Sequence, residues 1–221
     1  LGHVGNLDLC MNPMGLECFT TLAAGLSCTA GEVLHELSLG YTVAMDSYFE
    51  EVAYLEHEFA FFDPVEADEA GAAVARILNK APKLKALHLF GLLLQRSGLQ
   101  RMQDLVVNPL LYLDTFELDL CALGDRSIGK PIISLLHKIC PNLERLELKT
   151  ASIDCVLGLA DAAQTIRPSP LPALRTLRPD VHGWRGRPLS AQRMKNLDAR
   201  LRLSLPMMES LETQFNDSEL V

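Results

Sequence analysis

The chain lacks several features that define common protein classes. Its 221 residues hold no run of 18 apolar residues, and the opening Leu1-Gly2-His3 has neither a charged segment nor a continuous apolar stretch. The sequence therefore shows no membrane span and no signal peptide. With 48% apolar and 22% charged residues, it is neither disordered nor collagen-like. The first residue is not Met, which indicates a piece of a longer protein. We expect a soluble chain that buries its own hydrophobic core.

Motifs of common enzymes and metal sites are also missing. The sequence has no GxSxG, no P-loop lysine motif, no HExxH, no GxGxxG after a strand and no paired Cys/His spacing. His88 beside Glu117 and Asp119 could form an acid/base pair, but no nucleophile or metal site accompanies it. The sequence therefore predicts that the protein is not an enzyme and uses no cofactor and no metal.

The sequence contains six cysteines, at Cys10, Cys18, Cys28, Cys121, Cys140 and Cys155. They form no CxxC pair, and most of them lie within apolar runs. A thiol in such surroundings behaves as a small buried apolar group. An even number of cysteines also permits disulfide pairing. We interpret them as reduced, which predicts a cytoplasmic or nuclear location.

Positive charge is absent from the first third of the chain. Residues 1–75 contain 13 carboxylates and no Lys or Arg, whereas residues 76–221 carry 20 basic and 15 acidic side chains. Nine of the basic residues lie in Arg167–Arg202, around the only tryptophan, Trp184. That stretch could bind phosphate or an acidic partner, or form a solvated loop anchored by Trp184. The acidic balance of the whole chain makes nucleic acid an unlikely main ligand.

The most informative feature of the sequence is an internal repeat. Hexads of the L-x-x-L-x-L type recur at spacings of 30, 50, 29, 30, 31 and 34 residues. The last apolar pair of each hexad alternates with a variable residue, which predicts a short strand with one buried face. The seven hexads are Val4-Leu7-Leu9, Leu34-Leu37-Leu39, Leu84-Leu87-Leu89, Leu113-Phe116-Leu118, Leu143-Leu146-Leu148, Leu174-Leu177-Pro179 and Met208-Leu211-Thr213.

Between hexads, apolar residues recur at three- and four-residue steps. This spacing predicts amphipathic helices over Glu69–Lys80, Gly98–Val107, Lys130–Ile139 and Val156–Ile166. A helix–strand unit cannot cover its apolar faces alone, so neighbouring units stack. The sequence therefore predicts an α/β solenoid of about seven units over residues 1–221, with a parallel sheet on the concave side and helices on the convex side. Prolines mark the turns into the strands, at Pro82, Pro109, Pro141, Pro172 and Pro206.

One unit resembles a known repeat family. The stretch His137–Asp154, HKICPNLERLELKTASID, resembles the leucine-rich repeat of the ribonuclease-inhibitor-like, cysteine-containing type, in which a helix precedes C-P-x-L-x-x-L-x-L. Two other stretches are partly similar to this repeat. KAPKLKALHLF has Ala81 where the family prefers Cys, and SPLPALRTLRP ends its hexad with Pro179. The resemblance implies a leucine-rich-repeat horseshoe.

The same resemblance implies a function, because such repeats form the substrate-binding part of F-box proteins. The chain would be a non-catalytic protein–protein recognition module of an F-box-like ubiquitin-ligase receptor. Contact with a cullin-ligase adaptor would then use a segment outside this chain, since no F-box is found within it. The alternative is a regulatory horseshoe that binds a small GTPase or another basic partner.

Aligned as strands, the hexads place their variable residues in three ladders about 5 Å apart on one face of the sheet. The first ladder is Asn6, Glu36, Ala86, Thr115, Arg145, Thr176 and Ser210. The middle ladder is Asp8, Ser38, His88, Glu117, Glu147, Arg178 and Glu212. The third ladder is Cys10, Gly40, Phe90, Asp119, Lys149, Asp180 and Gln214.

The ladders bring together an acidic patch with one aromatic residue and a basic edge. We predict it as the partner-binding surface of the concave face, formed by His88, Phe90, Glu117, Asp119, Arg145, Glu147 and Lys149. We expect a partner protein to dock there through a basic segment. The alternative is a solvated polar sheet face without a ligand, because the same alternation would produce it.

The 50-residue interval contains an acidic, aromatic insertion at about 41–66. The range Asp46–Glu69 holds nine carboxylates, no Lys or Arg, and six of the 13 aromatic residues. This mixture is not typical of a disordered acidic linker, which is poor in aromatics. The insertion is either a lobe that covers the sheet or docks a partner, or a degenerate repeat whose aromatics fill the core.

Overall fold

The computed structural model describes residues 4–10, 16–40, 64–90, 94–119, 126–166, 170–182 and 191–211. Strands and helices alternate along this part of the chain. The strands are β1 (Asn6–Leu9), β2 (Glu36–Gly40), β3 (Ala86–Phe90), β4 (Thr115–Asp119), β5 (Arg145–Ser152), β6 (Thr176–His182) and β7 (Ser210–Leu211). The helices are α1 (Leu16–Gly25), α2 (Cys28–Gly31), α3 (Pro64–Leu78), α4 (Gln95–Leu105), α5 (Gly129–Ile139), α6 (Ile153–Thr165) and α7 (Ala191–Ser204), with a 3-10 turn at Arg126–Ile128.

The seven strands form one parallel sheet in chain order, from β1 to β7. All neighbouring pairs are parallel, which confirms the predicted parallel sheet. The first ladder is in register from Asn6 to Ser210, and the middle ladder is in register from Asp8 to Arg178. Glu212 and Gln214 lie outside the described residues.

The third ladder is interrupted between β5 and β6. Leu148 pairs with Pro179, but the next pair is Ala151 with Val181, so β5 carries an extra residue. The predicted pairing of Lys149 with Asp180 is therefore wrong. Pro179 supplies the physical reason, because a proline has no N–H to donate to the sheet and is confined to edges and bulges.

The same pattern of backbone hydrogen bonds recurs at the beginning of successive strands. The carbonyl of Lys85 accepts the N–H groups of Asp114 and Thr115, at 3.0 and 3.1 Å. In the next unit the carbonyl of Asp114 accepts the N–H groups of Glu144 and Arg145, at 2.9 and 2.8 Å. Each of these carbonyls accepts two N–H groups at the beginning of the following strand. These bonds fix the register of each strand on the strand before it.

The core lies between the sheet and the helices. The inward leucines and phenylalanine of the inner hexads are buried and form one cluster with apolar residues of the helices, and Leu7, Leu9 and Leu211 of the outer hexads are partly buried against it. The helices pack in sequence, α1 on α3, α3 on α4, α4 on α5, α5 on α6 and α6 on α7. No described helix is long and apolar enough to cross a membrane. None of the described cysteines forms a disulfide.

Most helices begin earlier than apolar spacing predicts. The helix predicted over Glu69–Lys80 spans Pro64–Leu78, and the one predicted over Gly98–Val107 spans Gln95–Leu105. First turns are rich in polar residues, and proline is favoured at the first helical position, so the apolar period starts after the helix does. Residues 64–66 of the proposed insertion therefore belong to α3. Residues 41–63 and the Trp184 loop lie outside the described residues.

Candidate functional site

We call the side of the sheet opposite to the helices the polar face. Residues at alternate strand positions point to it, because successive side chains of a strand face opposite ways. The leucine positions of the same strands belong to the core cluster on the helical side. The charged residues that form ion pairs with one another on this face are Glu36, His88, Glu117, Arg145, Glu147, Lys149 and Arg178.

A histidine, a carboxylate and a lysine from three adjacent strands form the centre of this face. His88 Nδ1 lies 2.8 Å from Glu117 Oε2, at hydrogen-bond distance. Lys149 Nζ lies 3.2 Å from the other oxygen of Glu117. On the opposite side of the imidazole, Nε2 lies 3.6 Å from Glu36 Oε1. His88 is therefore held between two carboxylates.

A second carboxylate, Glu147, lies among three cations. The guanidinium of Arg145 donates to Glu147 Oε1 through Nε and Nη2, both at 2.6 Å. Lys149 Nζ lies 3.3 Å from Glu147 Oε2, so this lysine bridges Glu147 and Glu117. Arg178 Nη1 is 3.8 Å from Glu147 Oε2, which is too long for a hydrogen bond.

The carboxylates and the cations of this face differ in exposure. The side chains of Glu117 and Glu147 are each 10% exposed, whereas those of Arg145 and Lys149 are 42% and 28% exposed. The sequence shows two central glutamates but not that their oxygens are already paired. A basic ligand would have to displace Lys149 or Arg145 to reach them, so the central carboxylates do not present an open acidic patch.

The same contacts shift the protonation of the central groups. The hydrogen bond that His88 donates to Glu117 raises the pKa of His88, and this effect outweighs that of burial. Burial alone would raise the pKa of Glu117, but the hydrogen bond from His88 and the charge of Lys149 lower it overall. Burial likewise opposes the charge of Lys149, yet Glu117 and Glu147 raise its pKa. All three groups are thus stabilised in their charged forms.

The histidine leads to a pH-dependent prediction. Protonated His88 stabilises the fold below its ordinary pKa of 6.5, and this contribution is lost as pH rises through the raised pKa. The contribution of Glu117 is present above its ordinary pKa of 4.5 and is lost as pH falls through the lowered one. We expect His88→Gln to lower the free energy of unfolding by about 1 kcal/mol between these two values, and by less at higher pH.

Urea unfolding across this pH range measures the effect. His35→Gln is the matched control, because His35 is exposed and lies just before β2. A His88→Gln difference that stays constant or grows as the pH rises above neutrality would contradict the pairing.

The structure places all seven predicted site residues by side chain or register. His88, Glu117, Arg145, Glu147 and Lys149 belong to one connected network. Asp119 is in register with Lys149. For Phe90 only the strand position is described, in register with Gly40 at the end of β3.

Two members of the network were missed in the sequence-based list. Glu36 contacts His88 from the neighbouring strand, and it also accepts a hydrogen bond from Asn6 Nδ2 at 3.0 Å. Arg178 adjoins Glu147 in the middle ladder. The ladders contained both residues, and their charge and length were the signal that could have identified them.

The chemistry available on the polar face is that of ion pairs and hydrogen bonds. Burial and the neighbouring Asp8 raise the pKa of the Cys10 thiol to about 12, so it is protonated and weakly nucleophilic at neutral pH. Among the described residues, no group of three His, Cys, Asp or Glu side chains could hold a metal ion. No protein-family model matches the chain, and no curated protein sequence matches it either.

Proposed function

We propose that the chain is a non-catalytic protein-recognition module of the leucine-rich-repeat type, and that the polar face binds the partner. The observation that carries this proposal is the register of the sheet. Six successive strands align two ladders in continuous register, from Asn6 and Asp8 onwards, and every member on these strands except Ala86 has a charged or hydrogen-bonding side chain. The other side of the sheet packs on the helices, so among the described residues the polar face is the accessible side of the sheet.

The repeated turns support the leucine-rich-repeat part of the proposal. In the units that carry the resemblance, the first leucine of the hexad donates its N–H to the residue three positions earlier. Leu84 donates to Ala81 at 3.2 Å, Leu143 to Cys140 at 3.2 Å, and Leu174 to Leu171 at 3.3 Å. Proline follows the acceptor in all three turns. A horseshoe with the polar face on its concave side is the arrangement we propose for these units.

The narrower proposal is that the module selects substrates for a ubiquitin ligase. It rests on the resemblance to the repeats of F-box proteins. The mechanism would be proximity, since the module would hold a bound protein near a ligase assembled on another segment. Under this proposal, removal of the full-length protein from cells lengthens the lifetime of the bound partner. An unchanged lifetime would contradict the ligase role and leave the binding role intact.

A site-specific photo-crosslinker tests the binding face. Thr176 lies half-buried in the first ladder, so a photoreactive phenylalanine there faces any partner on the polar face. The matched control is the same substitution at Gln100, which is exposed on α4. We expect a saturable protein adduct from position 176 and none from position 100. Equal adducts from both positions, or none from either, would contradict the proposal.

A blocking substitution then measures the binding energy. The purified partner should bind the Thr115→Trp variant at least about tenfold more weakly than the wild type, because the indole would occupy the centre of the first ladder. Gln100→Trp should leave the affinity unchanged in calorimetry. Glu117 and Glu147 are less suitable for this test, since charge reversal there would break the internal ion pairs.

A further inference from the structure

We propose that the β5–β6 part of the polar face binds an acidic segment of the partner protein, through Arg145, Lys149 and Arg178. This inference rests on the proposed function and specifies the chemistry of the ligand. It differs from the expectation of a basic ligand, which follows from the number of carboxylates in the ladders. Two observations support it: the exposure of the cations and the incomplete hydrogen bonding of Arg178.

Three cations surround one carboxylate among the side chains described on this part of the face. Glu147 faces Arg145, Lys149 and Arg178. Its side chain is 10% exposed, whereas that of Arg178 is 25% exposed. An approaching ligand therefore meets these guanidinium and ammonium groups before it meets Glu147. On the β4 side, Glu117 and Asp119 adjoin Lys149, so the described cations exceed the described carboxylates on β5 and β6 only.

Arg178 is incompletely hydrogen-bonded. Its Nε is buried and has no hydrogen-bond partner among the described residues. Its Nη1 is 3.8 Å from Glu147, which gives attraction without a hydrogen bond. A buried donor without an acceptor is rare in folded proteins. Because Nε is buried, a ligand carboxylate would pair with the exposed part of the guanidinium, and Lys149 and Arg145 would also attract it.

A peptide of about ten glutamates tests the inference, with an oligolysine of equal length and a single-stranded oligothymidylate as comparison probes. We expect the fluorescent oligoglutamate to bind the full chain, more weakly as salt increases. Amide shifts in NMR spectra should then change mainly at Glu147, Lys149 and Arg178. The oligolysine and the oligothymidylate should not compete for these residues.

Variants of Arg178 provide the decisive comparison. Arg178→Gln should weaken oligoglutamate binding about tenfold, the loss expected for one charge-assisted hydrogen bond. Arg178→Lys should keep part of the affinity because it keeps the charge. Arg202→Gln removes an arginine of α7 that is paired with Asp198, so it serves as the matched control and should change nothing. Thermal unfolding of each variant verifies that it is folded.

Each other outcome overturns the inference. These outcomes are no binding of oligoglutamate, an unchanged affinity in Arg178→Gln, shift changes centred on another basic region, or competition by the oligothymidylate. Preferential binding of oligolysine would instead favour a basic ligand. If the crosslinker at position 176 still captures a partner while oligoglutamate fails, the acidic-ligand inference is wrong and the recognition module stands. If the crosslinker fails as well, the proposed function fails with it.

Discussion

Gly98→Ala is expected to lower the free energy of unfolding by about 3 kcal/mol. Helix propensity alone predicts the opposite, since alanine is favoured over glycine within a helix by about 1 kcal/mol. Gly98 lies in α4, and a Cβ atom there would overlap the backbone carbonyl of Ala67 in α3. Gly71 of α3 faces Gly98 in the same way. Because backbone atoms cannot rotate aside, the two helices would have to separate.

Gly25→Ala is the matched control for this effect. Gly25 is exposed at the end of α1, and a Cβ atom there would have no atom within 4 Å. This control should leave stability unchanged or raise it by a few tenths of a kcal/mol. Chemical denaturation of both variants provides the comparison. Equal effects at Gly98 and Gly25 would contradict the close packing of α3 on α4.

The second large effect is expected for Leu146→Ala. Leu146 has no exposed surface, and it lies between Phe116 of β4 and Leu177 of β6. Removing its side chain loses apolar burial and leaves a cavity between the sheet and the helices. We expect the free energy of unfolding to fall by about 2–5 kcal/mol, the range found for buried leucines.

The same substitution at an exposed leucine is the control, because it changes the same residue type without removing a buried side chain. Leu203 lies on α7 and is 77% exposed. Leu203→Ala should change stability by less than about 0.5 kcal/mol, since it buries little area and alanine suits a helix. If Leu203→Ala destabilised the chain as much as Leu146→Ala, Leu146 would not lie in the core of the fold.

The strands were the most predictable part of the fold. A hexad contains its own period of two, and its leucines must face the helices, so Leu146 and Leu177 determine where Arg145 and Thr176 point. A slip of one residue would expose every leucine. For this reason the order and register of the first two ladders followed from the sequence alone.

The prediction failed where one residue changes backbone chemistry. Pro179 occupies the last position of its hexad, where a leucine is expected, and the register of β5 and β6 shifts directly after it. Pro109 marks the turn into β4 as predicted, but its place within that turn differs from that of the other prolines. It precedes the acceptor residue Leu110 in its turn, whereas Pro82 and Pro141 follow theirs. Local hydrogen bonds rather than apolar spacing decide these details.

The charge of the candidate site was the least predictable feature. The ladders place Glu117 and Glu147 side by side but give neither their burial nor the direction of the lysine between them. Lys149 reaches both glutamates because its side chain is long enough to lie across two strands. The sequence therefore predicts a row of acidic side chains, whereas the structure has ion pairs in which the cations are more exposed than the two glutamates.

The account depends most on a parallel sheet in chain order, with the polar ladders on one side. Backbone nuclear Overhauser contacts in isotope-labelled protein test this directly. We expect contacts between the amide and α protons of consecutive strands that join Thr115 to Arg145 and Arg145 to Thr176, all in parallel register. Antiparallel contacts among these strands, or contacts that join β3 directly to β5, would contradict the sheet and the binding face derived from it.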